Sequence, residues 1–308
     1  MTHSHSHQSH SHGHHHGHSH GVPNSRAFAI GIVLNVIFVV VEAVYGVLAG
    51  SMALLADAGH NLSDVLGLVL AWGAAWLAQR QATKWRTYGL KKTTILAALI
   101  NALVLMVAIG GIAWESVRRF SNPADVAGMT VIVVALVGVV INAATMMLFI
   151  GGQKDDLNVR GAFLHMAADA GVSLGVAVAG GLILWTGQAW IDPIVSLGIV
   201  IVILVGTWGL LRESLNLSLD AVPAGIDPDA VRQMLIDLPG VENVHHIHIW
   251  AMSTTENALT AHLVKPDPEA DDALLETLER RLREEFNISH VTVQWERDMS
   301  GCPMPEPC

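Results

Sequence analysis

Residues 94–114 read TILAALINALVLMVAIGGIAW, a run without a charged side chain. A helix needs about 20 mostly apolar residues to cross the hydrocarbon core of a bilayer, so this run predicts a transmembrane helix. Similar runs recur, and we place six spans near residues 27–48, 52–78, 94–117, 127–150, 158–185 and 191–211. The composition agrees, because 52% of the 308 residues are hydrophobic and only 14% are charged, against about 25% in soluble proteins. These features predict an α-helical membrane protein with six transmembrane helices.

Basic residues flank these spans unequally on the two sides of the membrane. Lysine and arginine concentrate in the cytoplasmic loops of membrane proteins. One side has only Arg118 and Arg119, whereas the other has Arg26, Arg80, Lys84, Arg86, Lys91, Lys92, Lys154, Arg160 and Arg212. The bias predicts a multi-pass protein with both termini in the cytoplasm, and we expect a bacterial inner or plasma membrane.

The composition after Arg212 becomes that of a soluble domain. Helical periodicity predicts helices in DPDAVRQMLIDLPG and DDALLETLERRLREEF, and alternation predicts strands in VENVHHIHIWAM, NALTAHLVK and HVTVQWE. The order α-β-β-α-β predicts a small cytoplasmic α/β domain. We divide the chain into a disordered His-rich tail (1–25), a transmembrane domain (26–212), a cytoplasmic metal-binding regulatory domain (213–298) and a C-terminal tail with two cysteines (299–308).

Two of the predicted spans contain matched pairs of histidine and aspartate. His60 and Asp64 in the second span, and His165 and Asp169 in the fifth, are four residues apart, so each pair shares one helix face. At about 1.5 Å per residue, Asp64 lies roughly 20 Å and Asp169 roughly 16 Å deep, counted from opposite sides of the membrane. The pairs can therefore meet near the midplane, where two imidazoles and two carboxylates suit an ion such as Zn²⁺.

Two other interpretations of these pairs stay open. Polar side chains in membrane bundles form hydrogen bonds between helices, and His/Asp chains also relay protons without a metal. Matched pairs at matched depth favour a metal site, because ionisable groups are costly in lipid. Asp57 is either a polar wall of the access path or a solvated residue near the helix start. We expect Glu42, Asn35, Asn101 and Asn142 to serve helix packing, with proton handling as the alternative for Glu42.

Histidines also cluster in the predicted cytoplasmic domain. His245 and His246 begin one strand, His262 lies on the next, and Glu296 lies on the last. Paired strands can bring such side chains together, so they form a candidate metal site. Half-buried packing of the strand histidines is the alternative.

Four stretches, GSMALLADAGHNLSD, RTYGLKKTTILAALINAL, LNVRGAFLHMAADAGVS and HIHIWAMS, resemble the cation diffusion facilitator family, particularly its zinc-exporting branch. The resemblance covers nearly the whole chain. It implies a homodimer in the lipid bilayer that exchanges divalent metal ions for protons, with Zn²⁺ as both transported substrate and regulatory ion. It implies a metallochaperone-like cytoplasmic domain and assigns the transport ligands to His60, Asp64, His165 and Asp169, with His60 favouring zinc.

The same resemblance bears on the cytoplasmic ligands. It implies metal ligands at His245, His262 and Glu296, and His246 is a candidate for a neighbouring site. Some vertebrate zinc-transporting members place C-terminal cysteines on the metals of this domain. The two cysteines in the tail DMSGCPMPEPC, Cys302 and Cys308, are accordingly either further ligands or free thiols in a frayed tail.

The favoured function is export of Zn²⁺ from the cytoplasm in exchange for protons. The alternative is a membrane metal sensor or scaffold that binds zinc through its cytoplasmic domain, and such a protein needs no tetrad in mid-membrane. We predict no enzymatic activity, because a metalloenzyme needs an open metal position and a general base, and the sequence contains no H-E-x-x-H motif. The net charge of -10 and the lack of a basic cluster predict no nucleic-acid partner.

Ten histidines lie within residues 3–20. Such tracts chelate zinc, copper or nickel, and the irregular Ser/Gly spacing argues against a purification tag. Deleting residues 3–20 is expected to lower the apparent zinc affinity modestly while leaving transport intact. The measurement is the rate of zinc uptake by proteoliposomes over a range of zinc concentrations, and complete loss of transport would refute the prediction.

Overall fold

The structure is a computed structural model that describes residues 25–149, 157–267 and 272–298. The predictions made for the His-rich tail and for Cys302 and Cys308 concern residues outside these ranges, so they stay predictions.

Six helices form the membrane domain, namely α1 (Ser25–Leu48), α2 (Met52–Ala78), α3 (Thr93–Ser121), α4 (Gly128–Phe149), α5 (Leu157–Thr186) and α6 (Ile191–Ser218). Each of α2 to α6 contains a described stretch long and apolar enough to cross a membrane. Helix α1 has 24 residues, which corresponds to about 36 Å. The predicted six-helix architecture is confirmed. Helix α6 continues past the predicted end at residue 211 to Ser218, because no glycine or proline interrupts its hydrogen bonds after the apolar stretch ends.

The interior of the membrane domain is built from small and branched apolar side chains. Ala53, Leu54 and Ala56 of α2 are completely buried, and they belong to one core with Leu105 of α3 and Ile203 of α6. Small residues let membrane helices approach closely, which favours packing where there is no hydrophobic driving force. Many larger valine, leucine and tryptophan side chains are exposed on the outside of the bundle, as expected for a surface that faces lipid.

The C-terminal domain contains α7 (Pro228–Ile236), β1 (Asn243–Ala251), β2 (Asn257–Val264), α8 (Asp272–Phe286) and β3 (Ile288–Glu296). The predicted α-β-β-α-β order is confirmed. Strand β2 lies in the middle of the sheet, antiparallel to β1 and parallel to β3. Both helices bury apolar side chains in one core with the sheet, among them Leu235, Leu259 and Leu278.

Polar contacts join this domain to the start of α3. The Lys92 ammonium lies 2.6 Å from the Asp220 carboxylate, just after α6. Lys91 pairs with Glu256 in the turn between β1 and β2, and the backbone N–H of the neighbouring Thr254 donates to a side chain of α3. These contacts place the C-terminal domain on the side of the membrane where α2 ends and α3 begins.

Candidate metal sites

The four predicted transport ligands come together between α2 and α5. His60 and Asp64 lie on one face of α2, and His165 and Asp169 lie on the facing side of α5. The His60 Nε2 atom is 3.4 Å from an Asp169 carboxylate oxygen, and the His165 Nε2 atom is 3.2 Å from an Asp64 oxygen. Within each helix the corresponding separations are 3.8 Å and 3.7 Å. We refer to these four residues as the tetrad.

The nitrogen–oxygen separations match four of the six edges of a tetrahedral metal site, and the ligand atoms of His60, Asp64 and Asp169 all lie within 4.8 Å of one another. Zinc binds histidine nitrogen and carboxylate oxygen at about 2.0–2.2 Å, which puts neighbouring ligand atoms of a tetrahedron about 3.4 Å apart. The four measured nitrogen–oxygen distances, from 3.2 to 3.8 Å, bracket that value. One buried oxygen of Asp64 and one of Asp169 also lack a hydrogen-bond partner. Buried polar atoms normally have one, so the tetrad has acceptors left to coordinate an ion.

The tetrad is more accessible on one side than on the other. In α2, every buried residue except Ala74 precedes Asp64. The Asp64 side chain is 33% exposed and that of His60 is 23% exposed, whereas Asp57, about one turn before His60, is fully buried. The surroundings of the site are therefore more buried toward the start of α2, which we call the closed side, than toward its end, where the C-terminal domain lies.

Asp57 and Glu42 lie on the closed side of the tetrad. Both carboxyl groups are fully buried, so the interpretation of Asp57 as a solvated residue is wrong. Ser173 of α5 donates a 2.8 Å hydrogen bond to Asp57. Asn61 donates to Glu42 at 3.2 Å and to Asp57 at 3.4 Å. Together these four side chains connect α1, α2 and α5.

A second cluster lies at one end of the sheet in the C-terminal domain. The strand register pairs His245 of β1 with His262 of β2. Glu296 of β3 pairs with Val264, which follows His262 by two residues on β2. One Glu296 oxygen is 3.1 Å from His245 Nε2, and the other is 2.8 Å from His262 Nδ1. The His245 and Glu296 atoms lack hydrogen-bond alignment, and both nitrogens of the buried His245 have no hydrogen-bond partner. This donor set fits a metal ion held by His245, His262 and Glu296.

A bulge in β1 brings His246 to the same cluster. The register with β2 shifts between His245 and His248, and His246 has a φ of 49°. The His246 ring centroid consequently lies 5.1 Å from the ring centroids of both His245 and His262. In a regular strand consecutive side chains point to opposite faces, so this placement depends on the bulge.

Two family profiles match the chain and together cover nearly all of it. The profile of the cation efflux transmembrane domain matches residues 28–217, and that of the cation efflux protein cytoplasmic domain matches residues 223–298. The chain belongs to the cation efflux family. The resemblance to cation diffusion facilitators is thereby confirmed, and the protein is a multi-pass membrane transporter for metal cations rather than an enzyme.

Relatives in this family include efflux proteins from several bacteria. The metal cation efflux system protein CzcD of Cupriavidus metallidurans is 37% identical over 276 residues, which cover 89% of this chain and 87% of the relative. The zinc transporter ZitB of Escherichia coli is 36% identical over 275 residues, 89% of this chain and 88% of the relative. The cadmium, cobalt and zinc/H(+)-K(+) antiporter of Bacillus subtilis is 34% identical over 280 residues, 89% and 90% of the two chains.

One solved structure is similar to part of the chain. It is the metal-bound C-terminal domain of the CzcD transporter from Cupriavidus metallidurans, 34% identical to this chain, and the match covers 23% of this chain and 99% of that one with a TM-score of 0.21.

Sequence reasoning missed one buried carboxylate of this cation efflux protein. Asp192, at the start of α6, is 1% exposed and binds the first turn of α2. It accepts hydrogen bonds from the Ser51 hydroxyl at 2.5 Å, the Met52 N–H at 2.7 Å and the Ala53 N–H at 3.3 Å. Arg119 of α3 lies 3.8 Å away. The sequence signal for this role was an acidic residue at the start of an apolar span. The N-terminus of another helix can stabilise such a negative charge.

Proposed function

We propose that this protein exports Zn²⁺ from the cytoplasm in exchange for protons, with the metal bound in mid-membrane by His60, Asp64, His165 and Asp169. The observation that carries the proposal is the approach of the two His/Asp pairs from α2 and α5 to distances suited to tetrahedral zinc. The names of the relatives support it, since ZitB is a zinc transporter and the Bacillus subtilis relative an antiporter for zinc, cadmium and cobalt. A sensor would not need this tetrad between two transmembrane helices.

Exchange for protons follows from the chemistry of the ligands. Zinc binds neutral imidazole and ionised carboxylate, so metal and protons compete for the same atoms. Zinc that arrives from the cytoplasm displaces protons from the tetrad. When the site faces the other side, protons return to the ligands and zinc leaves. Rocking of helices around the fixed site provides access to each side in turn.

The burial along α2 supports an inward-open conformation. The tetrad is more open toward the C-terminal domain, and the matching profile describes this domain as cytoplasmic. The excess of lysine and arginine in the loops on the same side supports a cytoplasmic location of both termini. The profile also corresponds to a dimerisation domain, which supports a homodimer in a bacterial inner or plasma membrane.

Zinc uptake into proteoliposomes tests the antiport. The purified full-length protein is reconstituted with a zinc dye and a pH dye inside acidic vesicles, and zinc is added to the neutral outside. We expect uphill zinc accumulation together with alkalinisation of the interior, and both should stop when an ionophore collapses the pH gradient. Zinc uptake with no accompanying proton movement would refute the exchange. Adding cadmium, cobalt or nickel as competitors then ranks the metals.

The cytoplasmic cluster is proposed to bind a regulatory zinc ion. Replacing Glu296 by glutamine removes the carboxylate that contacts both His245 and His262, so we expect zinc affinity at this cluster to fall at least about tenfold. Transport at saturating zinc should continue, because the tetrad is unchanged. Calorimetry on the full-length protein measures the affinity, and Glu284→Gln on the exposed face of α8 is the matched control. Unchanged affinity in Glu296→Gln would exclude Glu296 as a ligand.

A further inference from the structure

The buried residues on the closed side of the tetrad form a second polar cluster. The cluster consists of Glu42 of α1, Asp57 and Asn61 of α2, and Ser173 of α5, all at most 1% exposed. The Asn61 amide nitrogen donates to Glu42 at 3.2 Å and to Asp57 at 3.4 Å, so both carboxyl groups lie against the same nitrogen atom. Asp57 precedes His60 by three residues, so these two residues are about 4.5 Å apart along the helix axis, and Asn61 lies between the tetrad residues His60 and Asp64.

No described lysine or arginine is paired with either carboxyl group. The titratable groups that interact electrostatically with the pair are His60 on α2 and Asp169 on α5. Helix α4 also packs against α1, and it contains no charged residue. The cluster therefore holds two carboxyl groups in the membrane interior without a basic partner among the described residues.

Two buried acceptor atoms of the cluster have no hydrogen-bond partner. They are Oε1 of Glu42 and Oδ1 of Asn61. An unpaired buried acceptor is costly, and two ionised carboxylates side by side in a region of low dielectric are far more costly. A single proton shared by the carboxyl groups removes one charge and lets Glu42 Oε1 take part in a hydrogen bond, as in other carboxyl pairs that share a proton.

We propose that Glu42 and Asp57, oriented by Asn61, form a second, proton-binding site of this transporter. The proposal rests on the proton exchange proposed above and adds a place where one of the protons is carried. Zinc brings two positive charges to the tetrad. If the tetrad releases a single proton in return, its charge rises by one, which weakens the hold of the neighbouring carboxyl pair on its own proton. That proton leaves as zinc binds and returns when zinc departs.

The number of protons exchanged per zinc ion tests this site. Zinc and pH dyes in the same proteoliposomes measure the ratio for the wild type and for Glu42→Gln. We expect the variant to exchange about one proton fewer per zinc while it still transports zinc, since the tetrad is intact. Asp57→Asn should lose the same proton, and the double variant should lose no more, because the two carboxyl groups share it.

Matched variants separate proton binding from packing. Glu42→Asp keeps a carboxyl group and should keep the wild-type ratio. Glu115→Gln should also keep it, because Glu115 lies near the end of α3 and pairs with Arg118 and Arg119. An unchanged ratio in both Glu42→Gln and Asp57→Asn would overturn the proposal. A ratio that depends on Na⁺ or K⁺ in the wild type and not in Glu42→Gln would assign the site to that cation instead. Failure of the exchange itself would appear as zinc uptake without protons in the wild type.

Discussion

Replacing Asp169 by asparagine is expected to abolish zinc transport. The Asp169 side chain is 2% exposed, the lowest value among the four ligands. Its carboxylate lies 3.4 Å from His60 and 3.7 Å from His165. Asparagine keeps the volume but loses the charge that offsets a divalent cation. Loss of a residue that only orients a metal ligand costs 10–100-fold in affinity or activity, so we expect loss of a ligand to lower the rate by at least about 100-fold. Zinc uptake by proteoliposomes measures the effect.

The control for this substitution is Asp125→Asn. Asp125 is an exposed acidic residue between α3 and α4, so the same chemical change there should leave transport at the wild-type rate. Asp64→Ala and His165→Ala remove ligands from either helix and should fail like Asp169→Asn. If these variants still moved zinc against a gradient at the wild-type rate, the tetrad would not be the transport site.

Removing the carboxylate of Asp192 is expected to produce the largest loss of stability in the membrane domain. In Asp192→Ala the Ser51 hydroxyl and two backbone N–H groups of α2 lose their acceptor, and the partly buried Arg119 loses a counter-charge. Breaking a buried charged interaction by deleting one partner costs about 3–5 kcal/mol. Thermal unfolding of the purified protein in detergent measures the loss.

Two milder variants define the cause of this loss. Asp192→Asn keeps one acceptor and should lie between the alanine variant and the wild type. Ser51→Ala removes the hydroxyl that caps α2 by accepting from the Leu54 N–H and that donates to Asp192, but it leaves the Asp192 bonds to the two backbone N–H groups, and loss of a cap costs about 1 kcal/mol. If Asp192→Ala were no less stable than Ser51→Ala, the carboxylate would not anchor α2. Because α2 holds two members of the tetrad, we also expect Asp192→Ala to transport zinc more slowly than the wild type.

Local patterns were sufficient for the helices and for each half of the tetrad. The apolar runs predicted six membrane helices because the length of a span follows from bilayer thickness. The spacing of His60 and Asp64, and of His165 and Asp169, put each pair on one face because the helical period is a property of the backbone. Counting residues along each span also predicted that the two pairs lie at a similar depth in the membrane. The α-β-β-α-β succession of elements in the C-terminal domain followed from periodicity in the same way.

Contacts between distant parts of the chain depended on the tertiary structure. Asp192 binds Ser51 across 141 residues, and neither residue carries a local signal of that partner. The burial of Asp57 beside Glu42 depends on how α1 and α5 pack around α2, and the position of His246 depends on a bulge in β1. Hydropathy and periodicity describe one element at a time, so the sequence by itself determined the membrane helices and which residues share a helix face. Only the packing decided which faces meet, because the rotation of each helix is set by side chains on its neighbours.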